Sequence, residues 1–192
     1  MRNVVVVTGT PGTGKTTLSK ALAKALGAHY INLTQFISER KLYSNIDRKR
    51  RTKIVDMART RSSLTSELGR TKRPVVVDTH IIDGIVPRRR VRRVIVLRCH
   101  PKVLEARLRA KKWKANKIHE NVLAEIVDSC LTAAVKEYRW RKVIQFDTSR
   151  LSVRRSVGII RRSIAGTLGR RVNFDWIASL EKEGLLDRYL KP

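Results

Sequence analysis

Acidic residues are scarce in this chain: 16 aspartates and glutamates stand against 43 lysines and arginines, a net charge of +27 over 192 residues. Aromatic residues make up only 5%, which argues against a platform for stacking single-stranded bases. Two cysteines, Cys99 and Cys130, are too few for a disulfide framework or a cysteine metal centre. Each reads as a buried, reduced thiol, and the expected setting is the cytoplasm. No apolar run approaches the ~20 residues of a membrane span. Met1-Arg2-Asn3 leads straight into an apolar run, which leaves no room for a signal peptide. Without repeats, low-complexity tracts or a Pro/Gly-rich boundary, residues 1–192 read as one domain with length enough for one core.

The cations come in runs: Arg48-Lys49-Arg50-Arg51, Lys72-Arg73, Arg88-Arg89-Arg90 with Arg92-Arg93, Lys111-Lys112, Arg154-Arg155, Arg161-Arg162 and Arg170-Arg171. One reading is a solvated basic surface. The other, which the number of runs favours, is a polyanionic partner such as RNA, because clustered Lys and Arg gain affinity by displacing counterions from phosphate backbones.

What the chain does have is a phosphate loop. Val4-Val5-Val6-Val7-Thr8 runs into Gly9-Thr10-Pro11-Gly12-Thr13-Gly14-Lys15-Thr16-Thr17, the form G-x-x-x-x-G-K-T between a strand and a helical pattern. Glycines let backbone N–H groups turn inward around an anion, and the new helix adds its positive end. Lys15 can reach the β- and γ-phosphates and the Thr16 hydroxyl can coordinate Mg²⁺. A nucleoside triphosphate is the expected ligand.

Further apolar runs, at Tyr30–Asn32, Pro74–Asp78, Val94–Leu97 and Val143–Phe146, alternate with helical patterns. Helices are expected over about 18–26, 34–37 (with Thr34 as its cap), 51–68, 101–109, 118–138, 153–168 and 174–189. Continuous β-branched strands separated by helices predict a parallel sheet covered on both faces. Right-handed crossovers then align the phosphate loop with the ends of neighbouring strands.

Asp78, closing a valine strand, is placed to organise Mg²⁺ beside Thr16. His80, two residues on, is either an orienter of water or phosphate or a structural hydrogen-bonding group. Residues 107–118, rich in Arg and Lys, read as a mobile lid that closes over the triphosphate. Trp113 either packs that flap shut or stacks on a base.

Gly9–Thr17, Asp78-Thr79-His80, and Arg107-Leu108 with Lys117-Ile118, Glu120-Asn121-Val122 and Ala124-Glu125-Ile126 together resemble adenylate kinase isoenzyme 6. This is a family of small atypical adenylate kinases and ATPases of small-ribosomal-subunit maturation. Val172–Ile177 resembles the tail of its archaeal members. The resemblance implies an α/β P-loop NTPase of the nucleoside monophosphate kinase type, with a five-stranded parallel sheet flanked by helices and a small lid. It also implies an AMP-binding region at about 30–56, a lid at about 107–118 and a C-terminal helical extension at about 152–192. Carried over to this chain, Gly12, Gly14, Lys15, Thr16, Thr17 and Lys111 hold ATP, Thr16 and Asp78 hold Mg²⁺, and Lys15, Asp78 and His80 serve catalysis. The implied partners are AMP, rRNA and a platform protein of the small subunit.

Two departures stand out. The family's lid usually reads Arg-Gly-Tyr where this chain has Lys111-Lys112-Trp113, and lysine keeps the charge but not the planar fork. The AMP-binding region is usually acidic, yet Asp47 and Asp56 sit among Arg48–Arg51 and Lys53. Both shift the expectation from AMP kinase toward an ATPase working on a ribosomal particle. A small-metabolite kinase of the same architecture is the remaining alternative.

Overall fold

The computed structural model describes residues 3–47, 52–166 and 173–190. The chain begins with β1 (Val4–Gly9), α1 (Lys15–Leu26), β2 (His29–Asn32), α2 (Leu33–Glu39), β3 (Tyr43–Asp47), β4 (Thr52–Val55), α3 (Met57–Arg70) and β5 (Val75–Asp78). It continues with β6 (Val91–Arg98), α4 (Pro101–Ala110), α5 (Ala115–Ile126), α6 (Ser129–Tyr138), β7 (Val143–Asp147), α7 (Val153–Ala165), α8 (Trp176–Lys182) and α9 (Leu186–Leu190).

Five strands form one parallel sheet in the order β2-β5-β1-β6-β7. Its central valines explain it. Val4–Val7 and Val75–Val77 are buried throughout, which only a sheet covered on both faces permits. One face packs Val5, Val7, Val76, Ile95 and Leu97 against Leu18 and Leu22 of α1 and Val157 and Ile160 of α7. The other packs Val4, Val6, Val75 and Val77 against α2, Leu64 and Leu68 of α3, and Leu131 and Ala134 of α6. A third, smaller core joins Leu104, Leu108, Ile118, Val122 and Ile126 of α4 and α5 to Leu180 and Tyr189 of the C-terminal helices.

Several expected elements are revised. Part of the expected helix over 51–68 is strand: β3 and β4 form an antiparallel hairpin, and α3 starts at Met57, where the Asp56 carboxylate caps it by accepting from the Arg59 N–H at 2.9 Å. The β-branched and aromatic residues Tyr43, Ile54 and Val55 suit a pleated strand better than a polar helix. The cap of α2 is Asn32 rather than Thr34, its Oδ1 accepting from Gln35 N at 3.0 Å. The segment 118–138 is two helices that break at Asp128, which adopts φ +56°. Gly184, at φ +65°, likewise splits 174–189 into α8 and α9. The basic runs at 48–51 and 170–171 lie outside the described residues.

The expected lid at 107–118 is held at its two ends: Leu108 and Ile118 sit in the third core, and residues 109–117 between them are exposed. Of the cysteines, Cys99 is fully buried and Cys130 only half-buried; both are free thiols. Among the described residues no helix is long and apolar enough to cross a membrane.

Candidate active site

In a parallel sheet the carboxyl ends of the strands share one edge. Here β1 delivers the phosphate loop to that edge and β5 delivers Asp78 beside it, with Val7 and Asn32 each in register with Asp78. The loop needs its glycines for two different reasons. Gly12 has φ +96°, and a Cβ there would fall 2.7 Å from Leu104 Cδ1 and 2.9 Å from Leu108 Cδ2. Gly14 has open space around it but φ +90° as the cap of α1, a conformation costly for any side chain. Such left-handed turns point successive N–H groups into one concavity suited to an anion.

The Lys15 ammonium is folded back onto the loop, donating to the carbonyls of Gly9 at 2.7 Å and Thr10 at 3.1 Å. Burial lowers its pKa; nearby Cys130, Asp78 and Glu125 work against that fall and the charge of Lys111 adds to it. Thr16 donates its hydroxyl to Asp78 Oδ2 at 2.8 Å. The same oxygen accepts from Tyr30 OH at 3.0 Å and from Asn32 Nδ2 at 3.2 Å, so β2 fixes the carboxylate from its second side. Burial and the adjacent carboxylate raise the Tyr30 pKa, which keeps its proton in that bond.

Among the sequence candidates, Lys15, Thr16 and Asp78 converge directly. Gly12, Gly14, Thr17 and Lys111 line one cavity of about 400 Å³ together with Arg107 and Thr148. His80 stands exposed past the end of β5 with no side-chain hydrogen bond among the described residues. Its pKa is lowered, first by the surrounding protein and then by the Lys15 charge, with Asp78 opposing. Asp56, from the region expected to bind AMP, is used as a helix cap, and the Asp47 side chain lies outside the described residues.

The residues that hold the site from below were not singled out for that role by the sequence reading. Thr10 of the phosphate loop donates to Glu125 Oε2 at 2.6 Å. The other oxygen of Glu125 accepts from Arg98 Nε at 2.8 Å, Trp176 Nε1 at 3.0 Å and Cys99 N at 3.1 Å. Arg98, 1% exposed, also reaches Gln145 Oε1 at 2.8 Å, the Glu125 carbonyl and the Asp128 carboxylate. Charge buried this deeply is tolerated only with every donor and acceptor partnered. One hint was available: Glu125 lies among Ile118, Val122 and Ile126 at helical spacing, an acid on the buried face of α5. Arg107 adds a second tie, donating to the Thr148 carbonyl at 2.6 Å while Thr148 Oγ1 donates toward the Thr13 carbonyl at 2.9 Å.

A family described as "AAA domain" matches residues 5–128. A protein of Pyrococcus abyssi described as "Putative adenylate kinase" is 37% identical over 174 residues, 90% of this chain and 91% of its own length. One of Methanocaldococcus jannaschii with the same description is 31% identical over 172 residues, 90% and 92% of the two chains. Among solved structures, shikimate kinase from Bacteroides thetaiotaomicron superimposes with a TM-score of 0.58 at 22% identity, covering 84% of this chain and 98% of that one. Shikimate kinase from Acinetobacter baumannii, in complex with shikimate, gives 0.59 at 16% identity, covering 88% and 96%. At those identities the two structures establish the P-loop kinase fold and nothing finer. The chain is thus a P-loop kinase that carries the AAA domain and belongs to the adenylate-kinase-like family of these archaeal relatives.

Proposed function

We propose that this protein is a Mg²⁺-dependent adenylate kinase of the isoenzyme 6 type, converting ATP and AMP to two ADP and hydrolysing ATP in a side reaction. The observation that carries the reading is the convergence of Lys15, Thr16 and Asp78 at one strand edge, with the Thr16–Asp78 contact at 2.8 Å. The loop fits a triphosphate, since Gly12 and Gly14 turn their N–H groups into a concavity and Lys15 rests on carbonyls it can leave. The Thr16 hydroxyl and the Asp78 carboxylate, 2.8 Å apart, are the hard oxygen donors beside the loop. They suit Mg²⁺, which takes one or two protein oxygens and completes its shell with water and phosphate; Thr16 and Asp78 would hold it. When bound, the cation neutralises charge on the phosphate oxygens.

In transfer, the bond from the γ-phosphorus to the β–γ bridging oxygen breaks and a bond to an AMP phosphate oxygen forms. Lys15 follows the charge on the transferring group, and Lys111 closes from the lid side. Asp78 accepts from Thr16, Tyr30 and Asn32 through Oδ2 alone, which fixes the orientation of the carboxylate through one oxygen. A phosphate acceptor is already anionic and needs no base, so transfer to a nucleotide asks no proton transfer of this site. The lowered pKa of His80 keeps its imidazole neutral near pH 7, able to orient water for hydrolysis.

A second reading, an ATPase assembly factor of the cytoplasm that binds rRNA and a small-subunit ribosomal protein, is favoured by the net charge of +27. One assay separates them: ADP formation from ATP with AMP, other monophosphates, shikimate and RNA varied one at a time. Dependence on AMP supports the kinase. Turnover indifferent to AMP but raised by RNA supports the second reading, and turnover that needs shikimate overturns both.

A further inference from the structure

The edge of the sheet opposite the phosphate loop is built from the segments that lead into β5, β6 and β7. They are far apart in sequence, and each is basic. Lys72 precedes β5, Arg89 precedes β6, Arg92 lies at the head of β6, and Arg139 and Arg141 precede β7; all five are exposed. None has a carboxylate partner among the described residues, whereas Arg88 beside them is neutralised by Glu137 at 3.1 Å. Eight residues of β6 at about 3.3 Å each separate this edge from the catalytic one by roughly 26 Å.

The edge is a built surface. The buried Lys142 ammonium donates to the Arg88 carbonyl at 2.5 Å and so staples the segment before β7 to the one before β6. Arg73 donates from two nitrogens to the Gly27 carbonyl at 3.1 and 2.9 Å, fixing the segment before β5 to the end of α1. The β1–β6 register shifts between Val4 and Val5, whose partners are Val91 and Arg93. Arg92 is therefore the extra, bulged residue, and a bulge re-aims its side chain. Arg139 adopts φ +67°, and Trp140 beside it is 45% exposed. From Arg88 and Arg89 a groove of about 1030 Å³ continues along α3 past Arg61, Ser62 and Thr65.

We propose that this edge is a docking face for an RNA phosphate backbone, with Lys72, Arg89, Arg92, Arg139 and Arg141 as the phosphate contacts and Trp140 set against a sugar or base. Three observations select RNA over an anionic membrane or a small anion. The cations are nearly all arginine, whose planar fork matches phosphate oxygens. Trp140 is the one large exposed hydrophobic in these three lead-in segments, the others on the described surface lying elsewhere, and a membrane-binding face needs an apolar stripe. From β5 to β7 the edge crosses three strand spacings, about 14 Å, along which a duplex presents about eight charges. The proposal gives the polyanion-binding part of the second reading a location and is independent of the identity of the phosphate acceptor.

The test uses the full chain and a labelled 20-base-pair RNA duplex, with the matching single strand alongside. For five phosphate contacts, log K falls against log salt with a slope of about −4.5, about a 500-fold loss of affinity between 50 and 200 mM. The quadruple variant R89E/R92E/R139E/R141E should weaken binding at least 30-fold and flatten that slope, while ADP formation stays within twofold of the parent. A control, R154E/R155E/R161E on the exposed side of α7, should change affinity less than threefold. Equal losses in the two variants would mean diffuse charge and overturn the location, as would an unchanged slope in the quadruple variant. If the parent binds neither RNA, the RNA partner itself falls with the location, and the AMP-dependent turnover still judges the kinase reading separately. Binding to vesicles of 30% phosphatidylserine, with none to RNA, would also overturn it.

Discussion

The two edges of this sheet handle charge in opposite ways. At the carboxyl edge nearly every charged group is answered inside the protein: Lys15 by loop carbonyls, Asp78 by Thr16, Tyr30 and Asn32, and Arg98 by Glu125, Asp128 and Gln145. At the amino edge, Arg89, Arg92, Arg139 and Arg141 face water with no acid paired to them among the described residues. The first arrangement holds groups still, because a buried charge with all its bonds made has one geometry. The second leaves cations free to trade water and counterions for an external anion. Substitutions should accordingly be expensive at one edge and nearly silent for stability and turnover at the other.

The largest effects belong to the compensated edge. Lys15→Ala removes the charge at the transferring phosphate and should lower kcat by about 10³-fold, on the scale of losing a positioned transition-state donor; turnover above a tenth of the parent's would end the assignment of the loop as the active site. Glu125→Ala should destabilise the fold by about 3–5 kcal/mol, since it removes one of the two carboxylates that balance the buried Arg98 guanidinium and leaves the Thr10, Cys99 and Trp176 donors without their acceptor. Urea denaturation measures it, and a loss under 1 kcal/mol would show that Asp128 alone balances Arg98. Trp176→Phe keeps an aromatic face near the Arg98 guanidinium, which lies 5.7 Å from the native ring, but loses the N–H bond to Glu125 and the bulk of the second ring, a cost of about 1–3 kcal/mol in thermal or urea unfolding.

His80 tests the boundary between the two regimes, being exposed yet next to Lys15. Its folded pKa lies below the unfolded value of about 6.5, so the folded state binds fewer protons than the unfolded state in that window. Stability should therefore hold above pH ~6.5 and fall as pH drops through the folded pKa, by a small amount because solvent screens the group. His80→Gln should flatten that acid limb; an identical pH profile would remove the Lys15–His80 interaction. His80→Ala should reduce ATP hydrolysis more than nucleotide binding, and an equal loss of both would make the histidine structural. Smallest of all, Arg92→Ala at the far edge should shift stability by no more than about 0.5 kcal/mol, and a larger shift would contradict the picture of an uncompensated, solvent-facing group.

How much of this was legible in the chain depended on sequence distance. The phosphate loop is local: nine consecutive residues carry its glycines, lysine and threonine. Asp78 was legible because three valines end in an acid. The β3–β4 hairpin was hidden because its apolar residues are sparse among polar ones, so propensity alone left helix and strand close. The break at Asp128 was hidden for a different reason. An aspartate in a left-handed turn is tolerated there because its carboxylate meets Arg98, thirty positions earlier in the chain.

The sequence by itself determined the strand–loop–helix that can grip a triphosphate, the parallel α/β class and the excess of positive charge, because each follows from neighbouring residues or from composition. Tertiary structure alone decided that Glu125, Arg98 and Trp176 close a buried network beneath Thr10, and that basic segments scattered between Lys72 and Arg141 come together on one edge. Contacts across separations of 27 to 115 residues leave no periodic trace in a chain. They arise when parallel strands bring their ends into line.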